Sequence, residues 1–326
     1  LSRGIGSAWN RAWFTPSDPF TLCVIRVFTG FVALGLYLSY IPDLEQLFGP
    51  NGLLSESGML RLRGSVPIFS IFDYAHSTRS LWFLFWIGAA AIGLFLVGAF
   101  TRVTAVLALI AVLSLIHRGP VLARPVDDVL VVVMFCLCLG PSGAALSLDS
   151  WWNRRHSRPL DHSASLPQKS WAATVAVRLL QVHISLIYFL MVLAKLRTRS
   201  PVWWSGTAVW GLIAKPESRL FDLTFLSDHI YVLNAWTLAI VGFELCFALL
   251  IWVRIARPLL LGLAVPIWIG IALLTGMTSW AIMMLIANLA FVSPAALRAR
   301  LSRPTGDESM SRSRSISARN VSEAKR

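Results

Sequence analysis

A chain of 326 residues that is 56% hydrophobic and only 14% charged carries more apolar surface than one soluble core of this length buries, and several apolar runs reach about 18 residues or more. That excludes an ordinary soluble domain. Lipid offers backbone groups no water, so spanning segments must be helices or closed barrels; continuous rather than alternating apolar runs exclude the barrel and predict an all-α polytopic bundle of about seven or eight transmembrane helices.

In chain order the candidate spans are residues 20–41, 80–99, 102–117, 127–146, 171–195, 230–252, 257–275 and 278–293, the third and eighth being short. They divide the chain into an N-terminal segment (1–16), a transmembrane domain (17–296) and a tail (297–326). The first span begins only after Phe20 and many follow it, which predicts an uncleaved span rather than a signal peptide. Arg26 lies too deep within it to be a surface anchor and is expected to pair inside the bundle. The stretch IPDLEQLFGPNGLLSESGMLRLRGSVPIFSIFDYAHSTRS mixes polarity around a Gly-Pro-Asn-Gly turn and predicts an ordered loop with short surface helices. His117 and Arg118 close the third span. Asp127 and Asp128 open the fourth just after Pro125, where carboxylates stabilise a helix N-terminus.

Cys23, Cys136, Cys138 and Cys246 all fall in apolar segments without a Cys-x-x-Cys or zinc-ligand spacing, so they are expected as small core fillers and no metal site is predicted. The chain also lacks a Gly-rich phosphate loop, a His-Glu-x-x-His and a nucleophile elbow, which leaves hydrolase, kinase and metalloprotease chemistry without support.

The fifth span carries the most information. At about 100° per residue, Arg178, Gln181, Ser185, Tyr188, Val192 and Lys195 fall in one stripe, whereas Leu186, Ile187, Leu190 and Leu193 take the opposite side. A polar face on a membrane helix predicts a polar neighbour, because lipid would penalise every such group. His183 lies alone on the apolar side and is expected at a helix contact. Three readings of Lys195 compete: a surface anchor whose ammonium snorkels to water beside Arg197, Arg199, Trp203 and Trp204; a buried working base; and an ion pair with Glu244 of the sixth span, for which Arg178 is a rival. The run WWSGTAVWGLIA that follows is too short to span and predicts an interfacial or re-entrant helix, with Ser205 as its cap.

The tail RARLSRPTGDESMSRSRSISARNVSEAKR has almost no large apolar residues and cannot fold alone. Its cations suit anionic lipid headgroups, and no nucleic-acid partner is predicted. With a cytoplasmic N-terminus, nine Lys and Arg lie in inner segments and eight more in the tail, against nine in outer loops. The tail therefore decides the orientation, with both termini cytoplasmic in a cell membrane.

The runs RLLQVHISLIYFLMVLAKL and WWSGTAVW, preceded by HRGPVLARPVDDVLVVVMFCLCLGPSGAALSLD and followed by GFELCFALL and WIGIALLTGMTSWAIMMLIANLAF, resemble the horizontally transferred transmembrane (HTTM) domain family, related to the vitamin K-dependent gamma-carboxylase, over about residues 17–293. The resemblance implies a membrane cavity in which a lysine after the Tyr-Phe of this helix deprotonates a reduced quinone. Aligned from Tyr188 and Phe189, that lysine is Lys195. Such a base must be a neutral amine, which a dry site favours. Arg178, Gln181, Tyr188, Asp127, Glu244, Trp203 and Trp204 would then shape the cavity around a quinone or lipid-like ligand. The chain departs from the carboxylase at Ala194, where a second lysine stands, at Asp127, where a histidine appears, and at Trp268, where relatives show histidine. Carboxylation of peptide glutamate is accordingly not expected. The other class is a non-catalytic membrane protein binding a lipid, peptide or protein partner, its polar stripe serving helix packing.

Overall fold

The computed structural model describes residues 2–54, 69–156, 168–198, 201–214 and 224–301. The tail beyond Leu301, and residues 55–68 and 215–223 of the two long loops, lie outside it. Among the described residues there is no strand: Ser17 and Ser170 form a single antiparallel bridge, and otherwise the elements are helices and short 3-10 turns.

The helices are α1 (Ser2–Phe14), α2 (Phe20–Leu38), α3 (Leu44–Phe48), α4 (Thr78–Val97), α5 (Thr101–Arg118), α6 (Pro125–Leu139), α7 (Leu148–His156), α8 (Trp171–Arg197), α9 (Ala208–Ile213), α10 (Ile230–Leu250), α11 (Ala256–Thr275) and α12 (Thr278–Asn288). These belong to one compact unit, Leu1–Phe291. A second unit, Val292–Arg326, carries α13 (Pro294–Leu301). Among the described residues, six segments are fit by length and apolarity to cross a membrane, and a seventh if the broken pair Thr278–Phe291 and Pro294–Arg300 counts as one span. The protein is thus a multi-pass helical bundle suited to a bilayer.

The helices of the first and eighth spans end earlier than predicted, at Leu38 and Asn288, and two further expectations about helix ends are overturned. The fourth span ends at Leu139 and not near residue 146, because Gly140-Pro141 breaks the helix and residues 140–147 form turns. Hydropathy alone cannot register that break. Ser205 is not the cap of α9, since Thr207 occupies that position without a side-chain bond and the Ser205 hydroxyl pairs with that of Thr207 at 2.8 Å.

The long helices α2, α4, α5, α8, α10 and α11 each bury one face and leave the other apolar and exposed, the signature of a helix shared between bundle and lipid. On α4, Leu81, Phe85, Ile92 and Phe95 are buried while Phe83, Trp86 and Leu94 are exposed. α2 packs against α4, α6 and α12; α5 joins α4 to α6, α6 joins α8, and α8 meets α10, which leads through α11 back to α12. The predicted first loop holds α3, whose Leu44 and Phe48 reach the core, and a 3-10 turn anchored where buried Arg118 bonds Asp73 at 2.9 Å. Gly98 ends α4 in the left-handed region at φ 72°, a conformation that the Arg26 guanidinium packed beside it also requires to be free of a Cβ. Arg26 itself is buried and donates to the carbonyl of Leu146. Of the four cysteines, Cys23 and Cys136 are core fillers as expected and Cys138 is half-buried. Cys246 is exposed on the outer face of α10 and fills no core.

Candidate functional site

The polar stripe on α8 faces inward. Gln181, Ser185, Tyr188 and Val192 are buried, and Leu186, Phe189 and Leu190 are exposed on the outer side. Each inward group meets a different neighbour.

At the N-terminal end of the stripe Arg178 donates to Gln181 Oε1 at 3.1 Å, and Gln181 Nε2 donates to the carbonyl of Ala290 at 2.7 Å. One turn further, buried Ser185 has no hydrogen-bond partner for its hydroxyl among the described residues. The Tyr188 hydroxyl accepts from Trp268 Nε1 at 2.7 Å and from Asn288 Nδ2 at 3.0 Å, while its ring stacks on Phe247 at 4.1 Å and meets Phe243 edge-on. Asn288 Oδ1 is buried without a partner among the described residues. Two turns beyond Tyr188, Lys195 Nζ lies between both carboxylate oxygens of Glu244 on α10. The Glu244 side chain is 1% exposed and that of Lys195 15%. Trp203, in the turn after α8, places its ring 4.8 Å from the ammonium.

Of the three readings of Lys195, the ion pair describes the geometry, and Arg178 takes Gln181 instead of competing for Glu244. Trp203 belongs to the group as a cation–π cover. Trp204 does not: it is 57% exposed. Asp127 is held elsewhere, at the first turn of α6, where it accepts from the backbone N–H of Arg124 at 2.8 Å and pairs with the Arg124 guanidinium at 3.5 Å. Arg124 in turn covers the ring of Tyr40. This is N-terminal capping, the simpler role of that carboxylate. His183 bonds the carbonyl of Leu179 within its own helix.

Two members of the group were not among the predicted site residues. Trp268 stood out only as a departure from the pattern of the family the sequence resembles, and Asn288 not at all. An amide inside the apolar run LIANLAF was the available signal, because a primary amide in a membrane helix nearly always seeks a polar partner.

Chemically, the arrangement combines an amine hydrogen-bonded to both oxygens of a carboxylate, an aromatic cover, and buried polar atoms with capacity to spare. Unfilled buried hydrogen-bonding capacity is costly unless water or a ligand meets it. Set against family models, curated proteins and solved structures, the chain matches none of them.

Proposed function

We propose that this multi-pass membrane protein is of the HTTM and vitamin K-dependent carboxylase-like kind, and that Lys195 with Glu244 accepts a proton from a quinone- or lipid-like ligand drawn from the bilayer. One observation carries the reading. A lysine and a glutamate are withdrawn together between two membrane helices and covered by Trp203. Intramembrane charges are expensive to keep, and a pair kept there marks a working site by default.

The residues fit a ligand with an acidic hydroxyl on an apolar body. Moving one proton from Nζ of Lys195 to an Oε of Glu244 leaves a neutral amine beside a neutral acid, without separating charge. That amine can take a hydroxyl proton, and the ammonium so formed stays beside the ligand oxyanion. Phe243, Phe247 and Trp203 supply apolar contact, and Ser185 and Asn288 retain hydrogen-bonding capacity toward a polar group or bound water. A reduced quinone, when bound, would bring the redox chemistry; the chain supplies proton acceptance and positioning.

The test uses membranes containing the full chain. Lys195→Ala and Lys195→Arg should insert normally and lose oxygen-dependent consumption of a reduced quinone, the second because guanidinium stays protonated. Full turnover in both would overturn the reading and leave the stripe to helix packing. The proposed setting is the cell membrane, with both termini cytoplasmic.

A further inference from the structure

A cavity of about 840 Å³ lies where α5 begins and α6 ends. It is remote from Lys195. Gly140, on its wall, packs against Ala176 in the second turn of α8, and Lys195 is some 28 Å further along that helix at about 1.5 Å per residue. Its volume falls within the range of ligand sites, roughly 300–1,000 Å³.

The floor is apolar and includes Ala105, Leu137, Cys138 and Ala144. Phe100 and Trp152 stand on the rim, 78% and 58% exposed. The walls are fixed from behind. Asp149 accepts from the backbone N–H of Phe100, the backbone N–H of Thr101 and the Thr101 hydroxyl, each at 2.8 Å. Phe100 and Leu146 hold the left-handed conformation at φ 47° and 51°, although neither is glycine, and the carbonyl of Leu146 is gripped by Arg26. Such backbone persists only where its surroundings over-determine it. A rigid, apolar, open hollow is the result.

Charge decides what it would hold. Among the described residues the one carboxylate in the lining, Asp149, is engaged by the N-terminus of α5 and lies near buried Arg26. At the mouth stands exposed Arg102; Arg154 and Arg155, in the last turn of α7, follow the lining residues Trp152 and Asn153 in sequence and are not part of the lining. Tryptophan and arginine together mark the headgroup level of a bilayer. A small soluble anion would find Arg102 here but waste the apolar hollow; a neutral apolar molecule would leave that cation unanswered.

We propose that this cavity is a binding site for an anionic phospholipid, with acyl chain on the floor between α5 and α6 and phosphate at Arg102. The site is independent of the Lys195 reading, shares no residue with it, and would stand if that reading failed.

The experiment is native mass spectrometry of the full chain in non-ionic detergent, titrated with dioleoyl phosphatidylglycerol or dioleoyl phosphatidylcholine. The expected result is at least a roughly fivefold preference for phosphatidylglycerol, the size set by one cation near a headgroup. Arg102→Glu should abolish that preference, and Cys138→Trp, which fills the floor, should remove the bound lipid. Equal retention of the two lipids overturns the proposal. So does a phosphatidylglycerol preference that survives Arg102→Glu, since the lipid would then sit elsewhere. Should Cys138→Trp fail to fold, Arg102→Glu, at an exposed position, decides alone.

Discussion

At the scale of single residues, the physics of Lys195 is that of a pair, and removing one partner is not the same experiment as removing both. Glu244→Ala strands an ammonium among helices, at a cost of about 3–5 kcal/mol, whereas replacing both by apolar residues of similar volume is often neutral or stabilising. The expected outcome is therefore a large loss of melting temperature in Glu244→Ala, recovered in the double variant Lys195→Met with Glu244→Leu. The double variant should still fail to consume reduced quinone, so stability and activity part company in one protein. A Glu244→Ala variant as stable as the parent would mean that the amine is not enclosed. Much of this group was legible in the sequence, because a stripe at helical spacing needs only the period of the helix. Pairing with Glu244 followed from scarcity of carboxylates in the spans. The bonds from Trp268 and Asn288 to Tyr188 were not legible: they arise from α11 and α12, and no local pattern specifies which face of a distant helix turns toward α8.

At the scale of elements, the ends of helices diverge most from expectation, for a reason that α5 and α6 make plain. Hydropathy reports the mean character of a window, so residues 140–147, apolar and glycine-rich, join the preceding span although Gly140-Pro141 ends it. Likewise the start of α5 shows no capping serine or aspartate in sequence. Its cap comes from Asp149, 48 residues onward. Burial alone would favour the neutral acid, but hydrogen bonds from Thr101 and Phe100, helped by Arg26, outweigh it and hold this carboxyl below its ordinary value of 3.8. A carboxylate with a depressed native value stabilises above the unfolded value and loses that contribution as pH falls through the folded one. Asp149→Asn should thus lower stability at neutral pH by about 0.3–1 kcal/mol, the worth of a charge at a helix N-terminus. That difference should shrink once the pH drops below about 4, as thermal unfolding of the two proteins side by side would reveal. A difference that persists unchanged at pH 3 would remove the charge from the account.

At the scale of the whole molecule, long-range contacts count the crossings better than segment length does. Ser170, at the start of α8, bridges Ser17, at the start of α2, and Asp149 reaches Thr101, at the start of α5. Between Arg118, at the far end of α5, and Asp149 lies only α6, so its 15 residues and the turns after it carry the chain back across the bundle despite falling short of a standard span. The same holds for α12: Asn288 reaches the level of Tyr188, and Ala290 that of Gln181, in the half of α8 nearer its start. If α6 and α12 cross as well, the six long segments among the described residues become eight crossings, an even number, which would bring Phe291 to the end of the bundle where the chain entered at Ser17. Lys and Arg are balanced between the two sets of loops until the tail is counted, and its eight cations then favour the cytoplasm for that end. Reporters fused before Leu1 and after Arg326 should therefore both read cytoplasmic. Two periplasmic signals would reverse the orientation and keep the eight crossings; signals in opposite compartments would refute the even count, and with it the assignment of α6 or α12 as a full crossing.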